Sequence, residues 1–269
     1  MPERNGPMSK LKKILHITGY LALTGMLGAY FYFASLLVRE NTQDRCQDIV
    51  ITIRDSVHNP LTGAGDVALF LENRGMKMLG RVFSEIDMYR LEKDVESFAS
   101  VRQCNAVRTI DGTLRLEIEQ HMPLFRLDTH SGSFFITGER YMFPLVSPYR
   151  MPVLTVSAHV PLSYPASYRG LIDSSDTWLT EMSRMMAYIS AHPFWKNRIR
   201  KIQAKDPEEI HIIPHEEEPL LMIGSLDNFS YKMNKLLEFY RVLEPLGGKG
   251  KYSQVDARFG EQLVCKRKK

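Results

Sequence analysis

The sequence is poor in cysteine and lacks the cysteine patterns that hold metals or stabilise small secreted domains. Cys46, Cys104 and Cys265 are the only cysteines in 269 residues, and no two of them form a C-x-x-C pair. This spacing excludes a zinc ribbon and a thioredoxin-like redox motif. The odd number excludes a framework in which every cysteine is paired. It leaves open one disulfide in an oxidising compartment, or three unrelated thiols.

Familiar catalytic motifs are missing as well. The chain contains neither a G-x-S-x-G nucleophile elbow nor an H-E-x-x-H zinc motif. Residues 63–68 read G-x-G-x-x-A, which is similar to a dinucleotide-binding fingerprint. That fingerprint needs a tight turn directly after a strand, whereas Asn59-Pro60 lengthens the turn here. We therefore expect no cofactor and no catalytic residue at this position.

Two histidines four residues apart are the candidate metal ligands. His211 and His215 would lie on the same side of a helix and could then share a metal ion. Pro214 interrupts a helix here, however, and residues 210–213 alternate like a strand. The glutamates at 216–218 are typical of a solvated turn. We expect no metal, so catalysis would need a pair of carboxylates that only the fold brings together.

Charge of either sign is not in large excess. The chain has 35 basic and 31 acidic residues, and the net charge is +4. Much of the excess lies at the two ends of the chain, in Lys10, Lys12 and Lys13 and in residues 266–269. A nucleic-acid-binding domain needs a basic face on the fold itself. The composition therefore argues against a nucleic-acid partner.

One long apolar run is present against this ordinary background. Residues 14–38 carry no charged side chain, and about 20 apolar residues suffice for a helix to cross a bilayer. The run exceeds the roughly 7–15 apolar residues of a signal peptide, which favours a membrane anchor. Basic residues precede it, whereas Arg39 follows it beside Glu40 and Asp44. The positive-inside rule then predicts that residues 1–13 are cytoplasmic and that everything after a 39–48 linker is outside.

The first part of the outer region predicts the element order β-α-α-β-β. Asp111-Gly112 lies between two alternating runs and is a strong hairpin signal. Leu91, Val95 and Phe98 recur at spacings of four and three, which predicts a helix with one apolar face. The predicted strands are 49–53, 106–110 and 114–118, and the predicted helices are 67–71 and 89–98. We place this module at residues 49–120.

From residue 121 onward, short strands alternate with turns around two amphipathic helices. The predicted strands are 124–127, 133–137, 141–145, 152–156, 199–204, 209–213, 220–223 and 252–264, with a meander over 199–223. The predicted helices are 176–191, whose methionines we assign to the core, and 228–243, which ends before Pro245. The expected fold class is α+β: one transmembrane helix, the β-α-α-β-β module, a strand-rich domain at 121–265 and a basic tail at 266–269.

Several segments carry more specific patterns. Residues 116–127, LEIEQHMPLFRL, are a strand followed by a polar pair and a Pro-apolar-apolar-Arg motif. Aromatic strands follow at 133–136 and 142–145, and another strand begins at 152–155. The end of the chain, residues 252–266, reads YSQVDARFGEQLVCK. Together with the anchor and the first module, these segments resemble the cell-division family FtsQ/DivIB in its Bacteroidetes-type form, along nearly the whole chain.

Two positions depart from the pattern of that family. His121 stands where the family usually has another basic residue at the domain junction. Ala257 stands where the family usually has a larger aliphatic residue, which weakens one packing contact. The resemblance identifies residues 49–120 as similar to a POTRA domain.

The resemblance implies a non-enzymatic scaffold of the divisome, in the bacterial inner membrane at the division septum, with its larger part in the periplasm. The implied partners are the FtsB/DivIC and FtsL coiled-coil pair and the septal peptidoglycan synthase complex. An unpaired strand edge can accept a partner strand, and we place that edge at Tyr252–Gln262. The candidate partner-binding residues are Tyr252, Val255, Asp256, Arg258, Phe259, Gly260 and Gln262. Asp256 and Arg258 would pair with partner charges, and Phe259 would be an aromatic anchor.

Two other classes of function compete with this interpretation. A membrane-anchored, extracytoplasmic enzyme that modifies peptidoglycan would need a pair of carboxylates assembled by the fold. A POTRA-bearing transport or chaperone protein would be expected to continue into a barrel-like series of alternating strands, which the sequence does not show.

Overall fold

The structure is a computed structural model, and it describes residues 8–42, 45–54, 61–145, 151–215, 218–247 and 250–268. Asn59 and Pro60 of the predicted long turn, and the glutamates at 216 and 217, lie outside the described residues.

The apolar run forms the central part of one long helix, α1, at Met8–Thr42. His16–Leu36 within it is long and apolar enough to cross a membrane, and none of this stretch is buried against the rest of the protein. Its hydroxyl groups turn back on the helix, since Thr24 Oγ1 donates to the carbonyl of Tyr20 at 2.9 Å and Ser35 Oγ donates to that of Tyr32 at 2.7 Å. Polar groups that are satisfied within the helix suit an apolar surrounding.

The first domain has the predicted β-α-α-β-β order. Its strands are β1 (Asp48–Ile53), β2 (Val101–Arg108) and β3 (Thr113–Gln120), and its helices are α2 (Ala64–Asn73) and α3 (Met88–Glu96), with a 3-10 turn at Phe83–Glu85. The sheet order is β1-β3-β2, with β3 parallel to β1 and antiparallel to β2. The Asp111-Gly112 hairpin prediction is confirmed, and Gly112 adopts φ 80°.

Both helices of the first domain bury one face against this sheet. Val67 and Leu71 of α2 meet Leu91 and Val95 of α3 over the strands, and Leu116 at the centre of β3 is fully buried. Asp87 caps α3 by accepting a hydrogen bond from the backbone N–H of Arg90 at 2.9 Å. The cap satisfies one of the free N–H groups at the helix start.

The predicted linker at 39–48 is wrong for most of its length. Helix α1 continues through Thr42, and β1 already begins at Asp48. The residues from Arg45 to Gln47 are bound to the first domain: Arg45 forms an isolated β-bridge with Val82, and Cys46 is buried in the core. A polar composition suggested a free segment, but backbone hydrogen bonds to two loops hold it in place.

The second domain is a ten-stranded sheet. Its strands, in chain order, are β4 (Pro123–Asp128), β5 (Ser133–Thr137), β6 (Tyr141–Pro144), β7 (Leu154–Ala158), β8 (Gly170–Leu171), β9 (Ile199–Asp206), β10 (Glu209–Pro214), β11 (Leu220–Gly224), β12 (Tyr252–Asp256) and β13 (Val264–Arg267). Their order across the sheet is β13-β12-β11-β10-β9-β7-β4-β5-β6-β8. The predicted β9-β10-β11 meander is confirmed.

Two helices cover one face of this sheet. They are α4 (Thr177–Ala191) and α5 (Phe229–Glu238), and Met182 and Met185 of α4 are fully buried in the core they share with the strands. The assignment of these methionines to the core is confirmed. The second helix does not end before Pro245, because a π-helical turn at Phe239–Leu243 and a short α-helical turn at Glu244–Gly247 continue it.

The last predicted strand, 252–264, is two strands. β12 ends at Asp256, and β13 begins at Val264 and returns antiparallel to it. Lys266 and Arg267, predicted to begin a tail at 266–269, belong to β13. The longer strand was expected because apolar and polar residues alternate over 254–259, but a turn at 259–261 reverses the chain.

Aromatic rings of β6 connect the two domains through the residue at their junction. His121 stacks on Tyr141 with ring centroids 4.2 Å apart, and it also lies against Phe143. Phe143 and Phe135 form a small buried cluster with Leu61, which follows β1 in the first domain. Burial, assisted by the charge of Arg102, lowers the pKa of His121. His121, which stands where the family usually has another basic residue, therefore places an uncharged ring in this aromatic stack at neutral pH.

The three cysteines are free thiols. Cys46 and Cys104 are buried in the core of the first domain, whereas Cys265 lies on β13 in the second domain. Burial is the main cause that raises the pKa of Cys104 to about 12, and it also raises that of Cys46. Neither buried thiol is therefore ionised at neutral pH.

The core of the second domain makes a matched pair of leucine substitutions informative. Leu179→Ala removes a side chain of α4 that is fully buried, whereas Leu171→Ala changes a side chain of β8 that is 64% exposed. We expect Leu179→Ala to lower the free energy of unfolding by about 2–5 kcal/mol and Leu171→Ala by no more than about 0.5 kcal/mol. Thermal and denaturant unfolding of the full chain in detergent, followed by near-UV circular dichroism, measures both. Equal losses would contradict the position of α4 in the core.

Candidate functional site: the C-terminal edge of the large sheet

The candidate site is the C-terminal edge, which we define as β12, the connecting loop at 257–263, β13 and the adjoining side of α5. β12 pairs in parallel with β11, with Leu221 opposite Val255. A parallel pair needs a crossover connection, and α5 supplies it. β13 then pairs antiparallel with β12, with Val255 opposite Cys265. The hairpin is therefore attached to the sheet through β12 alone.

The prediction that Tyr252–Gln262 forms the edge is wrong. β12 has a neighbour on both sides, so its backbone groups are used within the sheet. The outermost strand at this end is β13, and no strand lies beyond it among the described residues. Sequence reasoning missed β13 because it is only four residues long and two of those four are basic. The strand forms because β12 offers it a hydrogen-bonding partner.

Asp256 and Arg258, predicted to reach for partner charges, pair with each other. Arg258 Nη2 lies 2.6 Å from Asp256 Oδ2, and Arg258 Nε lies 2.9 Å from Oδ1, which makes the pair bidentate. The Asp256 side chain is 7% exposed and that of Arg258 is 41% exposed. Burial pushes the pKa of Asp256 upward, but hydrogen bonds from Arg258 outweigh it and hold that pKa below its usual range. The carboxylate is thus ionised, and both of its oxygens accept hydrogen bonds from Arg258.

Gly224 at the end of β11 makes room for this ion pair. It adopts φ 67°, and a Cβ at this position would lie 2.9 Å from Cγ of Arg258. Both the backbone conformation and the close approach favour glycine. The stem of Arg258 therefore lies flat across the end of β11, which directs its guanidinium back to Asp256.

Lys235 of α5 belongs to the candidate site, and sequence reasoning missed it. Its Nζ donates to the backbone carbonyls of Ala257 at 2.9 Å, Phe259 at 2.7 Å and Gly260 at 2.6 Å, and the carbonyl of Gln262 lies at 3.3 Å. An ammonium group has three N–H donors, so this one is saturated by the connecting loop. Removal from water lowers the pKa of Lys235, and the charge of Asp256 opposes that effect. Nothing local in the sequence distinguishes this lysine from its neighbours.

Phe259 is the large apolar side chain that the connecting loop exposes. It is 49% exposed, and the Arg258 guanidinium carbon lies 5.8 Å from the centre of its ring. Beside the loop, a groove of about 550 Å³ runs along α5, with Tyr231, Leu237 and Leu263 among its lining residues. The predicted anchor residue is therefore on the surface. Its use by a partner stays a prediction.

The remaining candidate residues point inward or act through their backbone. Tyr252 is half-buried and packs edge-on against Phe239, with ring centroids 5.6 Å apart, and Val255 is fully buried in the core. Gly260 and Gln262 contribute carbonyl oxygens to Lys235. The seven predicted residues thus lie together at one edge of the sheet, and Arg258, Phe259 and Gln262 are the ones with exposed side chains there.

The histidine pair is not brought together on a helix. His211 is buried on β10, with Nε2 3.3 Å from Glu209 Oε1, and burial lowers its pKa. His215 follows the end of β10 and is exposed. His211, Met222 and Asp256 occupy one cross-strand row through β10, β11 and β12. His211 therefore belongs to the polar surroundings of the ion pair.

The first domain is similar to a known class of domain. Residues 44–119 match the POTRA-like domain, which agrees with the β-α-α-β-β topology of the first sheet. With the second, strand-rich domain and the apolar N-terminal helix, the chain is an α+β protein of the POTRA-containing kind. None of the curated proteins matches the chain.

The second domain then identifies the family. Residues 122–266, more than half of the chain, match the FtsQ/DivIB C-terminal related family. The chain belongs to the FtsQ/DivIB family. Its members are generally non-enzymatic proteins of cell division, and the two domains support a scaffold role in that process.

The buried ion pair makes stability at low pH depend on Asp256. We expect Asp256→Asn to lower the free energy of unfolding by about 1.5–3 kcal/mol at neutral pH, because a hydrogen-bonded charge pair is lost. The folded pKa of Asp256 is depressed, so its contribution is present above the unfolded pKa and is lost as the pH falls through the folded value. The difference between wild type and Asp256→Asn should therefore shrink on acidification, as followed by thermal unfolding between neutral pH and about pH 3.

The pair Arg126 and Asp128 on β4 supplies a matched control. It has the same two-residue spacing, with Nε 2.7 Å from Oδ1, but its side chains are 37% and 30% exposed. Asp128→Asn should cost only about 0.2–1 kcal/mol. If both asparagine variants lost the same stability with the same pH dependence, burial of the Asp256 carboxylate would not be the cause.

The contacts of Lys235 predict that it holds the connecting loop. In Lys235→Met, four carbonyls lose their shared donor, and we expect amide hydrogen exchange over 257–263 to become roughly tenfold faster. The control is Lys232→Met on the same helix, since Lys232 Nζ donates to Ser225 instead. Exchange measured by mass spectrometry on the full chain separates the two. Unchanged protection of 257–263 in Lys235→Met would show that the hairpin alone orders the loop.

Proposed function

We propose that this protein is a single-pass scaffold of the bacterial divisome that docks the FtsB/DivIC and FtsL pair through the outer edge of β13, supporting septal peptidoglycan synthesis. The carrying observation is that the ten-stranded sheet ends at β13, with no further strand beyond it among the described residues. An edge strand presents N–H and C=O groups in a row, and a partner segment can add to it as a further strand.

The side chains around this edge suit a partner with an apolar and acidic segment. Val264 is 51% exposed on β13, and Phe259 is exposed on the connecting loop. Lys266 and Arg267 are also exposed on the strand. A few apolar side chains usually carry most of the energy of such an interface, whereas charges at the rim set specificity and the rate of association. Phe259 is the proposed anchor.

The proposed membrane topology follows from the basic residues that precede the apolar run, Lys10, Lys12 and Lys13 among them. We propose that residues 1–13 are cytoplasmic, that residues 14–38 cross the inner membrane, and that the rest of the chain lies in the periplasm at the septum. We also propose that the boundary between the two domains lies between residues 120 and 121. A partner pair with single spans of its own would be confined to the same membrane, so the docking edge would meet it without diffusion in three dimensions.

Proline substitutions on β13 test this proposal. Neighbouring residues of an antiparallel strand direct their N–H groups alternately toward the partner strand and away from it. Of Val264→Pro and Cys265→Pro, one therefore removes an N–H that bonds β12, and the other removes only an outward N–H. We expect both to reduce co-purification of the FtsB/DivIC and FtsL pair from dividing cells at least tenfold, and the outward one to keep the wild-type melting temperature.

The control lies on the opposite edge of the same sheet. Leu171→Pro places proline on β8, where we expect full co-purification. Phe259→Ala, a change at an exposed position, is the second variant at the docking edge and should weaken the complex without unfolding the domain. A folded proline variant of β13 that retains the pair at the wild-type level would disprove docking at this edge.

A further inference from the structure

Residues Arg45–Gln47, which we term the strap, hold two loops close to the end of α1. Arg45 Nη1 donates to the carbonyl of Gly80 at 2.8 Å, and the backbone N–H of Gln47 donates to the carbonyl of Gly112 at 2.9 Å. Helix α1 ends at Thr42, three residues before Arg45. Because an extended chain spans at most about 3.6 Å per residue, the strap begins no more than about 11 Å from the helix end.

Each of the two loops ends in an exposed aliphatic side chain. Leu79, on the loop at 78–82, is 63% exposed, and Ile110, on the turn at 109–112, is fully exposed. A single exposed aliphatic residue needs no explanation. These two differ because the strap joins both of their loops, directly by hydrogen bonds, to the segment that emerges from the membrane-spanning helix.

The charged residues around the two tips are mostly basic. Within the strap, the two loops and the two positions on either side of each, the sequence has four basic residues, Arg45, Lys77, Arg81 and Arg108, and three acidic residues, Asp44, Asp48 and Asp111. Asp111 is turned onto its own loop, since it accepts hydrogen bonds from the Thr109 hydroxyl and from the Thr113 backbone N–H. The tips therefore lie beside basic side chains, among them Lys77 and Arg81, that anionic lipid headgroups would attract.

We propose that Leu79 and Ile110 insert into the headgroup region of the membrane that α1 crosses, with the basic residues around them facing lipid phosphates. The inference rests on the proposed function for one point, that α1 spans the membrane. The transfer of aliphatic side chains from water to the boundary between headgroups and acyl chains lowers the free energy. Nearby Lys and Arg add attraction to an anionic surface. With the strap, the two tips give the first domain three attachments near the bilayer, which limits its rotation about the helix end.

Depth-dependent quenching on the full chain tests the proposal. Leu79→Cys and Ile110→Cys, and Leu171→Cys as the distant exposed control, each carry an NBD label after reconstitution in vesicles of phosphatidylethanolamine and phosphatidylglycerol. Cys265→Ala is present in all three, and the buried Cys46 and Cys104 thiols, whose pKa values burial raises, label poorly. With lipids brominated near the headgroup end of the acyl chain, we expect roughly twofold quenching at positions 79 and 110 and none at 171.

Protease protection of the same vesicles shows whether α1 is inserted, and the quenching of the labels shows separately whether the tips are. If α1 is inserted but the labels at 79 and 110 are not quenched, the insertion of the tips is wrong and the proposed function is untouched. If the chain does not insert, the proposed topology fails instead. Quenching at position 171 as strong as at 110 would overturn the proposal too, because the second domain would then lie on the lipid and the tips would have no special role.

Discussion

The parallel pairing of β12 with β11 is the constraint on which the C-terminal surface depends. A parallel neighbour cannot be reached by a tight turn, so the chain crosses over through α5, which buries Met233 and Leu236 in the core on the way. The crossover delivers the end of the chain to the margin of the sheet. There it folds back once as β13, and the last strand to be added becomes the strand whose outer side faces solvent. Topology therefore makes β13 the outermost strand at this end of the described sheet.

Polar contacts then give that margin its shape. The carboxylate of Asp256 is costly to bury unless it is paired, and the bidentate contact with Arg258 supplies the pairing. On the other side of the connecting loop, the ammonium group of Lys235 donates hydrogen bonds to backbone carbonyls that the hairpin leaves without strand partners. Several residues of the family-like tail are thus occupied in building the edge. Phe259 is exposed beside them.

Backbone hydrogen-bonding groups are the common feature of the strap and of β13. At one end, backbone hydrogen bonds bind the strap that follows α1 to two loops of the first domain, and at the C-terminal edge no strand lies beyond β13 among the described residues. Between them, the stack of His121 on Tyr141 and Phe143 joins the domains. In the proposed scaffold, a docking edge held at a restricted height above the membrane would lose less rotational freedom on binding partners from the same membrane.

By itself, the sequence determined those features that depend on neighbouring residues. The apolar helix, the Asp111-Gly112 hairpin and the buried stripe of α4 are all read from composition, turn chemistry or spacing, and all are present. Tertiary structure decided the rest. Arg45–Gln47 looked like a linker because its residues are mostly polar, yet its backbone is bound to two loops. β13 is a strand only because β12 pairs with it. Lys235 binds carbonyls that lie 22–27 residues further along the chain, and no local pattern encodes a contact over that separation.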